Sequence, residues 1–358
     1  MKKSSIQEIE AVEPPPRYRL QINATTFHDS KAISPHDSRP FRIIHISDPH
    51  LSRRYYRGHI KSLKLLLAVI AERGFDHIVI SGDIVSTADE HDYALSREIF
   101  ERFGLLRGDR LTVVPGNHDI FGGPHRAIDI MSFPRHIRSV DYRRHNDLFF
   151  SAFAETFDGA FRLSESGPYP FVKCVGPFLL IGINSISPWS LWKNPLGTNG
   201  LLDDSQIEGL RALTKCDLIR THVPVVVIHH HFQDNAKGAT SEKSWFERIE
   251  SKTMRMKKRK STLRLFESLN VKLVLHGHVH RNELYDRGTI VLANGAGSVC
   301  DDPVQFLKYN DIFFLEGTIT LSTHLLPIPF HAAAPERGFG RVKSRKPAIP
   351  RLLLQPLI

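Results

Sequence analysis

The sequence predicts an α/β fold built on strands buried on both faces, and three observations carry that prediction. Short runs of consecutive apolar, largely β-branched residues recur along the chain, the pattern of strands covered on both sides. Segments with helical spacing stand between several of the runs, which is the order of βαβ units. Five of the six runs end in clusters of carboxylate, imidazole or carboxamide groups, at the place where open α/β sheets bind their ligands.

In chain order the runs are residues 41–46, 77–80, 111–114, 178–183, 223–228 and 271–275. Between the first two, residues 60–73 read as a helix with Leu63, Leu66, Leu67 and Ile70 on one face, the i, i+3, i+4, i+7 stripe of an amphipathic helix. Residues 205–213 and 260–269 also carry helical spacing. Residues 1–40, with Pro14-Pro15-Pro16 and a Ser/His/Asp-rich stretch, hold no period and read as an extended or disordered lead-in. One domain is expected over 41–325. A basic, proline-containing tail is expected over 326–358.

Composition bounds the class. Of 358 residues 41% are hydrophobic and 24% charged, enough apolar material for a sizeable core. Cys174, Cys216 and Cys300 stand far apart with no CxxC pair, which disfavours a disulfide scaffold or zinc ribbon and fits a reducing compartment. The first residues contain no apolar h-region, and the longest apolar stretches fall far short of a bilayer span. A soluble, cytoplasmic protein is expected. The formal charge of +10 points to anionic partners, whether nucleic acid, anionic lipid or phosphorylated substrate, without choosing among them. The twenty histidines say more, since imidazole is the commonest neutral metal ligand.

The clusters are Asp48-Pro49-His50, Gly82-Asp83, Gly116-Asn117-His118-Asp119, His229-His230-His231 and Gly277-His278-Val279-His280. If the strands run roughly the same way, all five converge on one crevice. Glycines at 82, 116 and 277 allow sharp exits and close backbone approach. Carboxylates mixed with imidazoles, without thiolate, suit Mn, Fe or Zn. The donors outnumber what one tetrahedral ion needs, and a pair of ions sharing a carboxylate would use them all. Read singly, each histidine is most simply an ordinary polar residue; the ordered set is what carries weight. His45 and His276 lie within or at the end of strand runs and are expected to be core histidines. His91, His125 and His145 are expected to be surface polar residues.

The ordered set D-x-H, G-D, G-N-H-D, H-H and G-H-x-H resembles the calcineurin-like metallophosphoesterase superfamily, over residues 41–295. Its late motifs are most similar to those of the bacterial branch that includes cyclic-nucleotide phosphodiesterases. The resemblance implies two mixed β-sheets packed as a sandwich flanked by helices, in four αββα layers, and hydrolysis of phosphoesters at two divalent or trivalent metal ions. It places Asp48, His50 and His280 on one ion and Asn117, His229 and His278 on the other, with Asp83 between them. It makes His118 the group that meets the phosphoryl oxygens or leaving group, and Asp119 the residue that orients His118. Phe232 stands where many relatives have proline, which leaves His230 as an alternative to His229. Asn184 stands where relatives often carry Asp, with an altered supporting hydrogen bond expected.

Two other readings share these motifs. A non-catalytic metal-binding scaffold is disfavoured because no expected ligand is missing. A nuclease is disfavoured because the basic residues concentrate in one helix-like stretch and a tail, without aromatic interleaving. P-loop and HExxH signatures are absent. The expected partner is a small phosphorylated substrate, with the basic stretch 248–264 as a candidate peripheral membrane contact or, more simply, an exposed charged helix. Residues 53–57, Arg-Arg-Tyr-Tyr-Arg, offer guanidinium groups that could meet phosphate or form a solvated loop.

Overall fold

The computed structural model describes residues 19–23, 40–125, 127–233, 256–280, 283–295, 297–299 and 306–328. One sheet is made of β1 (Arg19–Asn23), β2 (Phe41–Ile46), β3 (His77–Ile80), β4 (Leu111–Val113), β12 (Phe306–Leu315) and β13 (Thr318–Pro327), in the order β1-β13-β12-β2-β3-β4. The other is made of β5 (Ala160–Arg162), β6 (Phe171–Val175), β7 (Phe178–Gly182), β8 (Val223–Val227), β9 (Leu273–His276), β10 (Leu284–Arg287) and β11 (Ile290–Asn294), in the order β10-β11-β9-β8-β7-β6-β5. Strands β2, β3 and β4 are mutually parallel, as are β7, β8, β9 and β11; the remaining pairings are antiparallel.

The consecutive apolar runs are explained by where their two faces go. In β2, Ile43 joins the core between the sheets while Ile44 and Ile46 join the core under the helices. In β8, Val223, Val225 and Val227 face the first sheet and Val226 the other way. Period two is present, but both phases are apolar because both faces are covered. Helices α1 (Arg57–Arg73), α2 (Glu90–Arg102) and α5 (Tyr142–Ala152) close the first sheet, with Leu63, Leu66, Leu67 and Ile70 of α1 buried as the stripe predicts. Helices α6 (Asp204–Leu213) and α8 (Arg259–Ser268) close the second, through Leu210, Leu213 and Phe266. Short α3 (Asn117–Phe121) and α7 (Leu218–Thr221), the longer α4 (Ala127–Ser139) and a 3-10 turn at Ala154–Phe157 complete the helices among the described residues. The result is the four-layer αββα sandwich.

Residues 19–23, inside the stretch read as an extended or disordered lead-in, are extended but belong to the sheet, since β1 pairs antiparallel with β13 from Arg19↔Ser322 to Asn23↔Thr318. The inter-sheet core also holds polar groups. His45 bonds Ser81 Oγ at 2.9 Å and Asn310 at 3.1 Å. His77 bonds Thr112 Oγ1 at 2.8 Å, and the buried Lys173 ammonium donates to the Leu111 and Thr156 carbonyls at 2.8 Å each. All are satisfied, as buried polar groups must be.

Candidate metal centre

Because the parallel strands of both sheets end at the same edge, the five clusters meet there. The ladder between β2 and β3 continues past the strands, with the Asp48 N–H on Gly82 O at 3.0 Å and the His50 N–H on Asp83 O at 3.0 Å. Across the sheets, the His278 N–H donates to both Asp48 oxygens at 3.0 and 3.1 Å, and His229 Nδ1 donates to the Ser81 carbonyl at 2.8 Å. This second bond occupies Nδ1 and turns Nε2 into the centre.

The backbone here is strained. Asp48, His50, Asp83 and His278 sit in the left-handed region at φ 54°, 44°, 52° and 72°, where a residue with a Cβ costs about 1 kcal/mol or more. Each cluster turns sharply off its strand so that its side chain points inward instead of along the sheet. Gly116 meets a different need: a Cβ there would overlap the Asp83 carboxylate and backbone. At Gly277 it would overlap Ser47 and Asp48.

The donor atoms lie close together. His229 Nε2 is 3.3 Å from Asp83 Oδ2, 3.2 Å from Asn117 Oδ1 and 3.1 Å from His278 Nδ1. His50 Nε2 is 3.7 Å from Asp83 Oδ2 and 3.1 Å from His280 Nε2, which is 3.7 Å from Asp48 Oδ1. Three groups therefore stand within metal-binding reach of one another: Asp48 with His50 and His280, His50 with Asp83 and His118, and Asp83 with His229 and His278. Asp83 belongs to two of them, as a shared carboxylate would.

Electrostatics agree with a cation-holding site. Burial and neighbouring imidazoles hold His50 and His278 well below the usual histidine range. His229, which burial would also lower, is lifted to about 9 by the Asp83 carboxylate beside it. Burial opposes ionisation of Asp83, yet His229 and His118 hold its carboxyl well below the usual range. The buried His278 Nε2 has no hydrogen-bond partner among the described residues. Nitrogens aimed at nitrogens, beside buried carboxylates, are ill-matched as a hydrogen-bonded network and well matched as ligands. The oxygen–nitrogen set without thiolate suits Mn, Fe or Zn, so the residues fit the metals the motifs imply.

His230 is occupied elsewhere, bonding Ser185 Oγ at 2.8 Å through Nδ1 and the Thr198 carbonyl at 3.0 Å through Nε2. The His118 ring lies edge-on to His50 with centroids 4.5 Å apart, and its backbone N–H donates to Asp83 Oδ1 at 2.7 Å. Asp119 departs from the expected role. Its oxygens accept from the Val85 and Gly116 N–H groups at 2.9 and 2.8 Å. It therefore holds His118 through the backbone at the start of α3 and not through the ring. Burial, with Asp83 close by, pushes its carboxyl up to about 8.

Asn184 supports the site's surroundings, donating to Asn146 Oδ1 of α5 at 2.7 Å and accepting from the Ile186 N–H at 2.8 Å. His45 and His276 are bonded core histidines, His276 pairing with the Tyr285 hydroxyl at 3.0 Å. His125, expected at the surface, is half-buried and stacked on Tyr55 with centroids 4.1 Å apart. In the 53–57 segment, Arg53 pairs with Glu98 at 3.0 Å and Arg54 lies against the Tyr55 ring. Ser81, Ser185 and Thr198 went unread in the sequence because nothing local marks a residue whose role is to bond a histidine far along the chain. Of the basic stretch 248–264, residues 248–255 lie outside the described residues, and 259–264 begin α8.

The family model described as calcineurin-like phosphoesterase matches residues 41–282, which includes every one of the five clusters. The chain belongs to this family. As a calcineurin-like phosphoesterase it is a metal-dependent phosphoric ester hydrolase. Solved structures it resembles include a dimetal phosphatase from Danio rerio, at 13% identity over 78% of this chain and 94% of that chain with a TM-score of 0.48. They also include a purple acid phosphatase from yellow lupin (Lupinus luteus) seeds, at 10% identity over 85% of this chain and 58% of that chain, TM-score 0.48. A putative 5'-nucleotidase from Staphylococcus aureus matches at 12% identity over 83% of this chain and 56% of that chain, TM-score 0.45. No curated protein matches the chain. The comparisons place it in the family without dividing it among branches. No helix among the described residues is long and apolar enough to cross a membrane.

Proposed function

We propose that this phosphoesterase cleaves a phosphomonoester, phosphodiester or related phosphate at two metal ions, with Asp48, His50 and His280 on one side, Asn117, His229 and His278 on the other, and Asp83 shared. The observation that carries the reading is the 3.3 and 3.7 Å approach of His229 and His50, residues of two different sheets' exits, to the same Asp83 oxygen. When bound, the ions would supply a water acidified to near-neutral pH and neutralise charge developing on the phosphoryl oxygens.

The chain's own residues do the rest. Asp48, Asp83 and His229 are buried and form the floor, while the His280 side chain, 43% exposed, opens the centre to solvent. Substrate enters on that side. His118 lies beside His50 and Asp83, its buried Nδ1 unpartnered among the described residues. Its ring is placed to donate a proton to the leaving oxygen, held by the Asp83 bond to its backbone and by the Asp119 clamp on the preceding glycine.

The test is a substrate panel with added Mn: p-nitrophenyl phosphate, bis-p-nitrophenyl phosphate, cyclic AMP, a diphosphate lipid analogue and single-stranded DNA, with bound metal measured on the same preparation. Two metal equivalents per chain with turnover of a small phosphate support the proposal. Metal without turnover of any of them would make the chain a scaffold, and turnover of DNA alone with steep salt dependence would make it a nuclease.

A further inference from the structure

The segment between β7 and α6 carries the most exposed apolar surface described. Trp192 is 89% exposed and the adjacent Leu191 61%, at the tip of a turn closed by reciprocal backbone bonds between Ser190 and Asn194 at 3.3 and 2.9 Å. The turn is braced from beneath. The buried Asn194 amide donates to the Ser187 carbonyl at 2.9 Å and hydroxyl at 3.2 Å, and its oxygen accepts from the Asn199 N–H at 3.0 Å. A buried carboxamide with its partners in place fixes a turn. Here it fixes one whose two large apolar side chains stand mostly exposed.

The surroundings are basic. Lys193 follows Trp192 directly, and the Arg138 guanidinium lies 5.5 Å from the Trp189 ring at the base of the turn. Helices α4 and α5, which border the segment through Arg138 and through the Tyr142 hydroxyl on the Ile186 carbonyl, expose Arg135, Arg143 and Arg144 along with Asp141 and Asp147. A convex tip of two side chains is too small to be the core of a protein–protein interface. Trp beside Leu, with Lys193 adjacent and Arg138 at the base of the turn, is instead the composition of a segment that sits at a bilayer–water boundary.

We propose that this turn docks the enzyme on an anionic lipid surface, with Leu191 and Trp192 entering the interface and Lys193 and Arg138 facing the headgroups. The net charge of +10 favours the same partner. The docking segment also reaches the metal centre's surroundings, because Thr198, a few residues on, accepts the His230 ring bond. Docking does not depend on which phosphate the site cleaves.

The experiment is co-sedimentation of the full chain with vesicles of phosphatidylcholine alone or mixed with phosphatidylglycerol. Wild type is expected to sediment with the mixed vesicles and to be released by salt. In Leu191→Ser/Trp192→Ser the partition coefficient is expected to fall about ten-fold or more, with p-nitrophenyl phosphate hydrolysis and thermal melting unchanged. Brominated lipid should quench tryptophan fluorescence in wild type and not in Trp192→Phe. The proposal is overturned if wild type ignores the anionic vesicles, if the double variant binds them equally, if quenching survives in Trp192→Phe, or if the double variant instead dissociates an oligomer in light scattering.

Discussion

Asp83 answers to several demands at once, and its neighbourhood is built around them. It accepts the His118 N–H, approaches His229 and His50, and sits in the left-handed region against Gly116. Asp83→Asn removes the shared negative charge, and both metals should be lost together. Hydrolysis is expected to fall by more than the roughly 10–100-fold typical of a lost supporting contact; normal metal content with full activity would sink the assignment. The adjacent histidines separate by the same reasoning. His229→Ala should lose metal and hydrolysis. His230→Ala should keep its metal while the Ser185 and Thr198 partners left behind lower stability by about 1–3 kcal/mol. Metal analysis beside urea unfolding of the two variants distinguishes them, and the reverse outcome would exchange their roles. That a ligand lay in the His229-His230-His231 run was legible in the sequence. Which ring faces inward was not, because it depends on Ser81 and Ser185, residues of other strands' exits.

At the scale of elements, the buried strands were legible and most of the antiparallel ones were not. Residues 41–46, 77–80 and 223–228 announce themselves by largely apolar runs of β-branched residues, whereas β13 alternates along its first six residues. Ile319, Leu321 and Thr323 are buried, and Thr320 and Ser322 between them are partly exposed. That period-two signal is present in the sequence, but it is diluted by polar residues and easily passed over beside consecutive valines and isoleucines. The turn joining β12 to β13 has Glu316 at φ 48° and Gly317 at φ 75° between the paired Leu315 and Thr318. Both positions of this two-residue hairpin want left-handed residues, and Glu is a poor choice for the first. Glu316→Asn is expected to raise stability by about 0.5–1 kcal/mol without altering hydrolysis. An unchanged or lower urea midpoint would show that the turn's strain is relieved some other way.

For the molecule as a whole, the polar layer between the sheets sets a pH limit. Burial holds His45 down to about 3, and burial with Lys173 nearby does the same for His77, both from an ordinary value of 6.5. Both rings are therefore neutral when folded and take up protons on unfolding in mild acid. Stability from this source is complete above about pH 6.5 and declines as pH falls toward 3, by about 1 kcal/mol per pH unit for each ring once well into that window. Urea midpoints followed from about pH 7.5 to about pH 5 should drop less steeply in His77→Gln than in wild type. Equal slopes would mean that His77 has no part in the acid sensitivity. In the same layer Lys173 of β6 donates to the Leu111 carbonyl of β4, tying one sheet to the other.

The sequence by itself determined the donor types, their order and the strands they terminate, because apolar runs and the residues that follow them are local properties. Tertiary structure alone decided that His229 and not His230 turns inward, that Asp119 grips backbone instead of the His118 ring, and that residues 19–23 complete a sheet with residues 318–322. Each of these is a contact between segments distant along the chain. A residue's neighbours across a sandwich are chosen by how two twisted sheets pack, and no window of sequence contains both sides.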